Sequence, residues 1–172
     1  MLLTALSSTL HRHSCWQVLS SALNTMYPNS TVLFMGTMTT PRGIINNNPL
    51  NIRKGCKWIG LRPTQTDKSF CQFTSMIYGV RAGFITLRTY IRKHKCNTIE
   101  TIISRWAPPK ENNTTAYIRA VAKRTKLATY LPIRIEDKRA MCALLSAMIE
   151  VECGRAIDMD IIEDGYKLAF PR

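Results

Sequence analysis

Between residues 75 and 95 the apolar side chains Ile77, Val80, Phe84, Leu87 and Ile91 recur three and four apart, while Arg81, Arg88, Arg92 and Lys95 fall elsewhere. That spacing predicts an amphipathic helix with one buried face. Ile99, Ile102, Ile103 and Trp106 repeat the pattern over a shorter run, with Asn97 or Thr98 as cap and Pro108 and Pro109 as stop. A third helix is capped at Asn113 or Thr114 and buries Tyr117, Ile118 and Val121. The fourth runs from about 135 to 152, with Met141, Leu145 and Met148 on one stripe and Gly154 where a left-handed C-terminal residue belongs. The segment DMDIIEDGYKLAF adds a short last helix.

Upstream of residue 75 the pattern changes. In CKWIGLRPTQTDKSFCQFTS, Trp58 and Ile59 precede a polar turn, and Phe70 and Phe73 follow it, which predicts a small β-hairpin. Before it stands RGIINNNPLNI, where asparagines that bond their own backbone and a residue constrained by Pro49 predict a stiff, non-helical turn over 46–51. The expected fold is therefore α+β, predominantly helical, a single domain with a small β-hairpin near its start. Residues 1–38 are expected to form a poorly organised extension, with a functional domain that begins near Met35 and is organised over 39–172. MLLTALSSTL has no basic residues before its apolar ones, so a secretory signal is not expected.

Charge adds a preference for anionic partners. Lys and Arg number 24 against 11 acids, a net charge of +13. Residues 1–135 hold nineteen of those cations and only Asp67, Glu100 and Glu111 as acids. The basic side chains either face a polyanion, whether nucleic acid, acidic membrane surface or cell-wall polymer, or form a solvated face. No apolar run approaches the roughly 18 to 20 residues of a spanning helix, so no membrane insertion is expected. The six cysteines lack paired metal-ligand spacing and read mainly as buried, reduced thiols, with a Cys56–Cys71 bridge as the lesser alternative. Neither a metal site nor a cofactor is expected.

Three acids are candidates for chemistry. Glu152 continues the apolar stripe of the fourth helix into its final turn, and a carboxyl half-withdrawn from water has the raised pKa that a general acid needs. The alternative is a side chain that escapes to solvent or pairs with Arg155. Glu111 precedes a helix N-terminus, where an acid is also an ordinary capping participant. Asp67 lies in the predicted hairpin turn and reads as structural. His94 stands among Arg92, Lys93 and Lys95 with no orienting carboxylate nearby in sequence, which gives a triad mechanism little support. No recognition motif for specific nucleic acid is present.

The series RGIINNNPLNIRKGCKWIGL, FCQFTSMIYGVRAGFITLRTYI, NTIETIISRWAPPKENNTTAYI and AMIEVECG resembles a family of phage virion-associated and prophage structural proteins, over roughly residues 41–168. That family is in turn similar to lysozyme-like and lytic-transglycosylase-like peptidoglycan-degrading proteins. Asn47, Asn48, Pro49 and Asn51 match its Asn-Pro motif, Gly79, Arg81 and Ala82 a Gly-x-Arg-Ala segment, and Arg105, Trp106, Ala107, Pro108, Glu111, Asn112 and Thr114 a third. Glu152 and Gly154 match a terminal Glu-x-Gly. Ile45, Leu50 and Cys153 depart from the usual Arg, Gly and Asn.

The resemblance implies a lysozyme-like domain that cleaves the glycan strand of peptidoglycan, carried in a virion or delivered to the periplasm and wall. Glu152 is the implied general acid and Glu111 the second carboxylate. Asn47, Asn48, Asn51 and Asn112 would contact sugar, with Arg81 beside them and Tyr78 and Trp106 as stacking surfaces. Other virion proteins are further expected partners. The alternatives are a non-enzymatic virion or wall-binding protein and, more weakly, a nucleic-acid-binding module.

Overall fold

The computed structural model describes residues 39 to 171 apart from Glu111. The expected extension at 1–38, with its histidines and the proposed start near Met35, lies outside the described residues. Six helices follow one another: α1 (Arg42–Ile45), α2 (Met76–His94), α3 (Ile99–Trp106), α4 (Thr114–Thr125), α5 (Lys138–Cys153) and α6 (Met159–Ala169). None of them is long and apolar enough to cross a membrane.

The caps account for most boundaries. Thr98 and Thr101 form a reciprocal capping box at the start of α3, and the Asn113 side chain accepts from the Ala116 N–H at the start of α4. Asp137 does the same for Ala140 and starts α5 three residues later than the periodicity predicts. Ile135 stays outside that helix, and its main-chain oxygen accepts from the Tyr166 hydroxyl. Gly154, at φ 63°, ends α5 in the left-handed conformation expected of it.

The core gathers around α5. Met141, Leu144, Leu145, Met148 and Ile149 are all fully buried, together with Phe84 and Leu87 of α2 and Ile102 and Ile103 of α3. α2 packs chiefly on α6, and α4 on α5. Phe84 meets the rings of Tyr166 and Phe170 edge-on, at centroid distances of 5.4 and 6.1 Å. The first turn of α2 presses on the asparagine segment, because a Cβ at Gly79 would lie 2.0 Å from the main-chain oxygen of Asn47.

The predicted hairpin is not formed, and the fold is helical rather than α+β. Among the described residues there is no strand or sheet; Arg53 and Phe70, and Leu61 and Phe73, make isolated antiparallel bridges only. The physical reason lies in the side chains. Gln65 Nε2 donates to the carbonyls of Arg62 and Gln72 while its Oε1 accepts from the Gln72 N–H. Gln72 Oε1 accepts from the Thr66 and Asp67 N–H groups. Amides thus take up backbone groups that a ladder would otherwise pair, and the extended segments never acquire a continuous register.

Asparagines complete this stitching. Asn48, wholly buried, donates to the carbonyls of Ile52 and Cys71 and accepts from the Ile52 N–H. Asn47 donates to the Phe73 carbonyl, and Asn46 joins Gln72 to Asp67. Asn47 and Asn51 take positive φ, 51° and 50°, which asparagine tolerates better than other side chains. Leu50 is not among the positive-φ residues; its side chain is buried against Gly83, so the position needs no glycine.

Candidate functional site

Between this stitched loop and the helices lies an open cleft of about 470 Å³. Its loop side is formed by residues 50–54, Cys56, Trp58 and Phe70, and its helical side by Thr86, Thr89, Tyr90, Trp106, Ala107, Asn112 and Glu152. The size is that of a small-ligand site. Glu152 reaches it from the last turn of α5, one helical turn beyond the buried Met148 and two residues before the glycine cap.

Its carboxyl is gripped from two helices. Trp106 Nε1 of α3 donates to Glu152 Oε1 at 2.8 Å, and the Tyr117 hydroxyl of α4 donates to the same oxygen at 3.1 Å. The Asn51 side chain supplies a further hydrogen bond from the loop. Burial pushes the Glu152 pKa up, and these three donors, which favour the carboxylate, offset it only in part. Burial, with the carboxylate beside it, pushes the Tyr117 hydroxyl well above its ordinary value, so it remains a donor. Glu150, on the other side of the helix, pairs with Arg124 at 2.9 Å.

The predicted residues divide between this cleft and the scaffold. Asn51, Trp106, Asn112 and Glu152 come together around it. Asn47 and Asn48 border no part of it, and their amide nitrogens are committed to main-chain oxygens. Tyr78 covers Gly60, and Arg81 donates to the Leu168 carbonyl on the α6 side. Glu111 lies outside the described residues.

Asp67 is structural, as its turn position suggests. Burial opposes its charge, but Arg42, the N–H groups of Phe70 and Ser69, and Asn46 together hold its carboxyl well below the usual range. Cys56 and Cys71 are both free thiols. His94 Nε2 lies 3.0 Å from the Arg105 guanidinium, with no carboxylate in that contact. Among the described residues no cluster of His, Cys, Asp and Glu could hold a metal.

Sequence reasoning missed Tyr117 as a partner of Glu152, and missed the Trp58, Phe70 and Tyr90 walls. A signal existed for Tyr117, since a hydroxyl placed on a buried helix stripe must find an acceptor. The others depend on the path of a loop with no periodicity.

No family model matches the chain. Protein P5 of Pseudoalteromonas phage PM2 is 39% identical over 134 residues, which span 75% of this chain and 82% of P5. The fold and cleft thus belong to a small helical bacteriophage protein. The chain is a member of the family of PM2 protein P5.

Proposed function

We propose that this protein cleaves the glycan strand of peptidoglycan, in the manner of a muramidase or lytic transglycosylase, with Glu152 as general acid. The observation that carries the reading is a carboxyl with a raised pKa on a cleft of ligand size, oriented by Trp106 and Tyr117. Such a group is protonated above the ordinary carboxylate range and able to give its proton to a glycosidic oxygen. Asn51 and Asn112 offer amides to sugar hydroxyls and acetamides, and Trp106 a ring edge. Membership in a bacteriophage family suits a protein carried in the virion and released onto the cell wall.

Among the described residues Glu152 is the carboxylate that borders the cleft. A route that needs one acid follows. Proton transfer to the leaving oxygen breaks the bond to the muramyl anomeric carbon, the sugar's own primary hydroxyl closes on that carbon, and its proton returns to Glu152. A hydrolytic route would use either substrate assistance or a second carboxylate, for which Glu111 is the nominee.

The test is digestion of bacterial cell walls by the protein and by Glu152→Gln, with analysis of the released muropeptides. Release by the parent and not by the variant supports the assignment, and no release by the parent removes the enzymatic reading. Anhydro-muramyl ends would indicate the one-acid route, and reducing ends abolished by Glu111→Gln the hydrolytic one. Two donors converging on Oε1 also brace α3 and α4 against α5, which favours, as a second reading, a glycan-binding virion protein that does not cleave. Retention on walls without release of fragments would select it.

A further inference from the structure

The lip of the cleft carries two arginines over one aromatic ring. The Arg42 guanidinium lies 4.6 Å from the Phe70 centroid and the Arg53 guanidinium 5.5 Å from it. Their charges are spent differently. Arg42 is fully engaged by Asp67, through Nε and Nη2 at 2.7 Å each. Arg53 has neither a carboxylate partner nor a side-chain hydrogen bond among the described residues, although it borders the same cleft as Glu152. The neighbouring Lys54 ammonium is turned to the Gln65 carbonyl at 3.3 Å.

Arg53 is nonetheless well positioned. Its backbone is bridged to Phe70, and the next residue's N–H donates to the Ser69 carbonyl at 3.1 Å. Phe70 is in turn fixed by its N–H bond to Asp67. A planar guanidinium over a ring keeps its edge donors available, and that fork matches a carboxylate better than an ammonium would.

We infer that Arg53 selects for acidic strands, binding a carboxylate carried by the muramyl substituent of a glycan whose sugar backbone passes Glu152. The inference rests on the glycan reading above. It adds that an uncharged polymer of N-acetylglucosamine is a poor ligand even though its sugars fit. The carboxylate has two sources: in stem-bearing strands an acid of the peptide stem, since the lactyl carboxyl is there taken up in the amide bond to the stem, and in strands stripped of their stems the freed lactyl carboxylate.

The test measures binding by the non-cleaving Glu152→Gln protein, with and without Arg53→Gln, to stem-bearing glycan strands, to strands stripped of their stems, and to a chitin oligosaccharide. Among the described residues the Arg53 side chain makes no hydrogen bond that its replacement would orphan, and an unchanged melting temperature checks that the lip is intact. The expected result is that Arg53→Gln weakens binding to stem-bearing strands about ten-fold or more and leaves the chitin oligosaccharide unaffected. A loss confined to stem-bearing strands assigns a stem acid, a loss confined to stripped strands assigns the freed lactyl carboxylate, and a loss on both shows that the guanidinium fork takes either. Arg53→Lys should retain only part of the preference. Equal weakening on all three ligands, or none on any, overturns the role of Arg53 alone. Failure of the Glu152→Gln protein to bind any of the three overturns the glycan reading and Arg53 with it.

Discussion

Trp106 of α3 and Glu152 of α5 are 46 residues apart, and a 2.8 Å hydrogen bond from the indole nitrogen joins them at the cleft. A helix C-terminus is an unfavourable place for an anion, since the last carbonyls point there. The bond, with those from Tyr117 and Asn51, keeps the carboxyl directed while burial keeps its pKa high.

The pH dependence of stability follows from that raised pKa. Folding favours the protonated acid, so its contribution is complete below the unfolded glutamate value of about 4.3 and is lost as pH rises through the higher folded value. Glu152→Gln keeps a neutral side chain at every pH. The melting temperature of the variant, relative to the parent, should therefore increase from about pH 4 upward and level off once Glu152 is ionised in both states. A difference that stays constant with pH would mean that Glu152 titrates normally.

Replacing the donors should move the acid in a defined direction. Trp106 and Tyr117 both favour the carboxylate, so Trp106→Phe or Tyr117→Phe should raise the Glu152 pKa further. Under the proposed reaction the basic limb of the kcat/KM profile shifts to higher pH in each variant. Carbon NMR of the Glu152 carboxyl reads the same shift without turnover, and an unchanged titration would show that neither bond acts on it.

The helices were legible in sequence for reasons that the loop does not share. Val80, Phe84 and Leu87 bury a stripe at helical spacing, and Asn113, Asp137 and Gly154 mark ends through local bonds. Glu152 was reachable by the same periodicity. The segment 46–74 was not, because its order comes from contacts such as Asn46–Gln72 and Asn47–Phe73, each 26 residues apart, that substitute for a ladder. Apolar residues in extended segments predict strands only if main-chain pairing follows, and here glutamine and asparagine side chains displaced it. The density of amides in RGIINNNPLNI thus served structure at Asn46, Asn47 and Asn48, and only Asn51 of that run reaches the acid.

Asn48 supplies a direct test of that division. Asn48→Ala would leave the Ile52 N–H and the carbonyls of Ile52 and Cys71 without this partner in a site closed to water. The expected cost is about 3 kcal/mol, or more, in denaturant unfolding. KM for glycan in the remaining folded protein should not change, whereas a sugar-contacting amide would raise KM at little cost in stability.

Asp67 should dominate loss of the loop in acid. Its lowered pKa means that folding favours the carboxylate, so the contribution is present above the unfolded value near 4 and is lost as pH falls through the folded value. Asp67→Asn should destabilise the protein at neutral pH, with the gap to the parent closing progressively below about pH 4. Thermal unfolding across that range measures it, and a gap independent of pH would assign the effect to shape rather than charge.

Gly79 carries the remaining prediction, because helix propensity and packing oppose each other there. In an exposed helix interior Gly→Ala stabilises by roughly 1 kcal/mol. At Gly79 the added methyl would meet the Asn47 main-chain oxygen at 2.0 Å and Pro49 Cδ at 3.0 Å. Neither can move freely, since Asn47 holds a positive φ and its side chain is bonded to the Phe73 carbonyl. Overpacking of this kind costs about 1 to 3 kcal/mol, and relief by displacing Asn47 would also shift Asn51 beside Glu152. Gly79→Ala should therefore lower stability and, in the protein that still folds, alter the Glu152 titration, while Gly154→Ala, which faces open space, should cost only its left-handed strain of about 1 kcal/mol and leave the titration unchanged. Comparing the two variants by denaturant unfolding and by carbon NMR of the Glu152 carboxyl separates a general loss of stability from a movement of the asparagine turn.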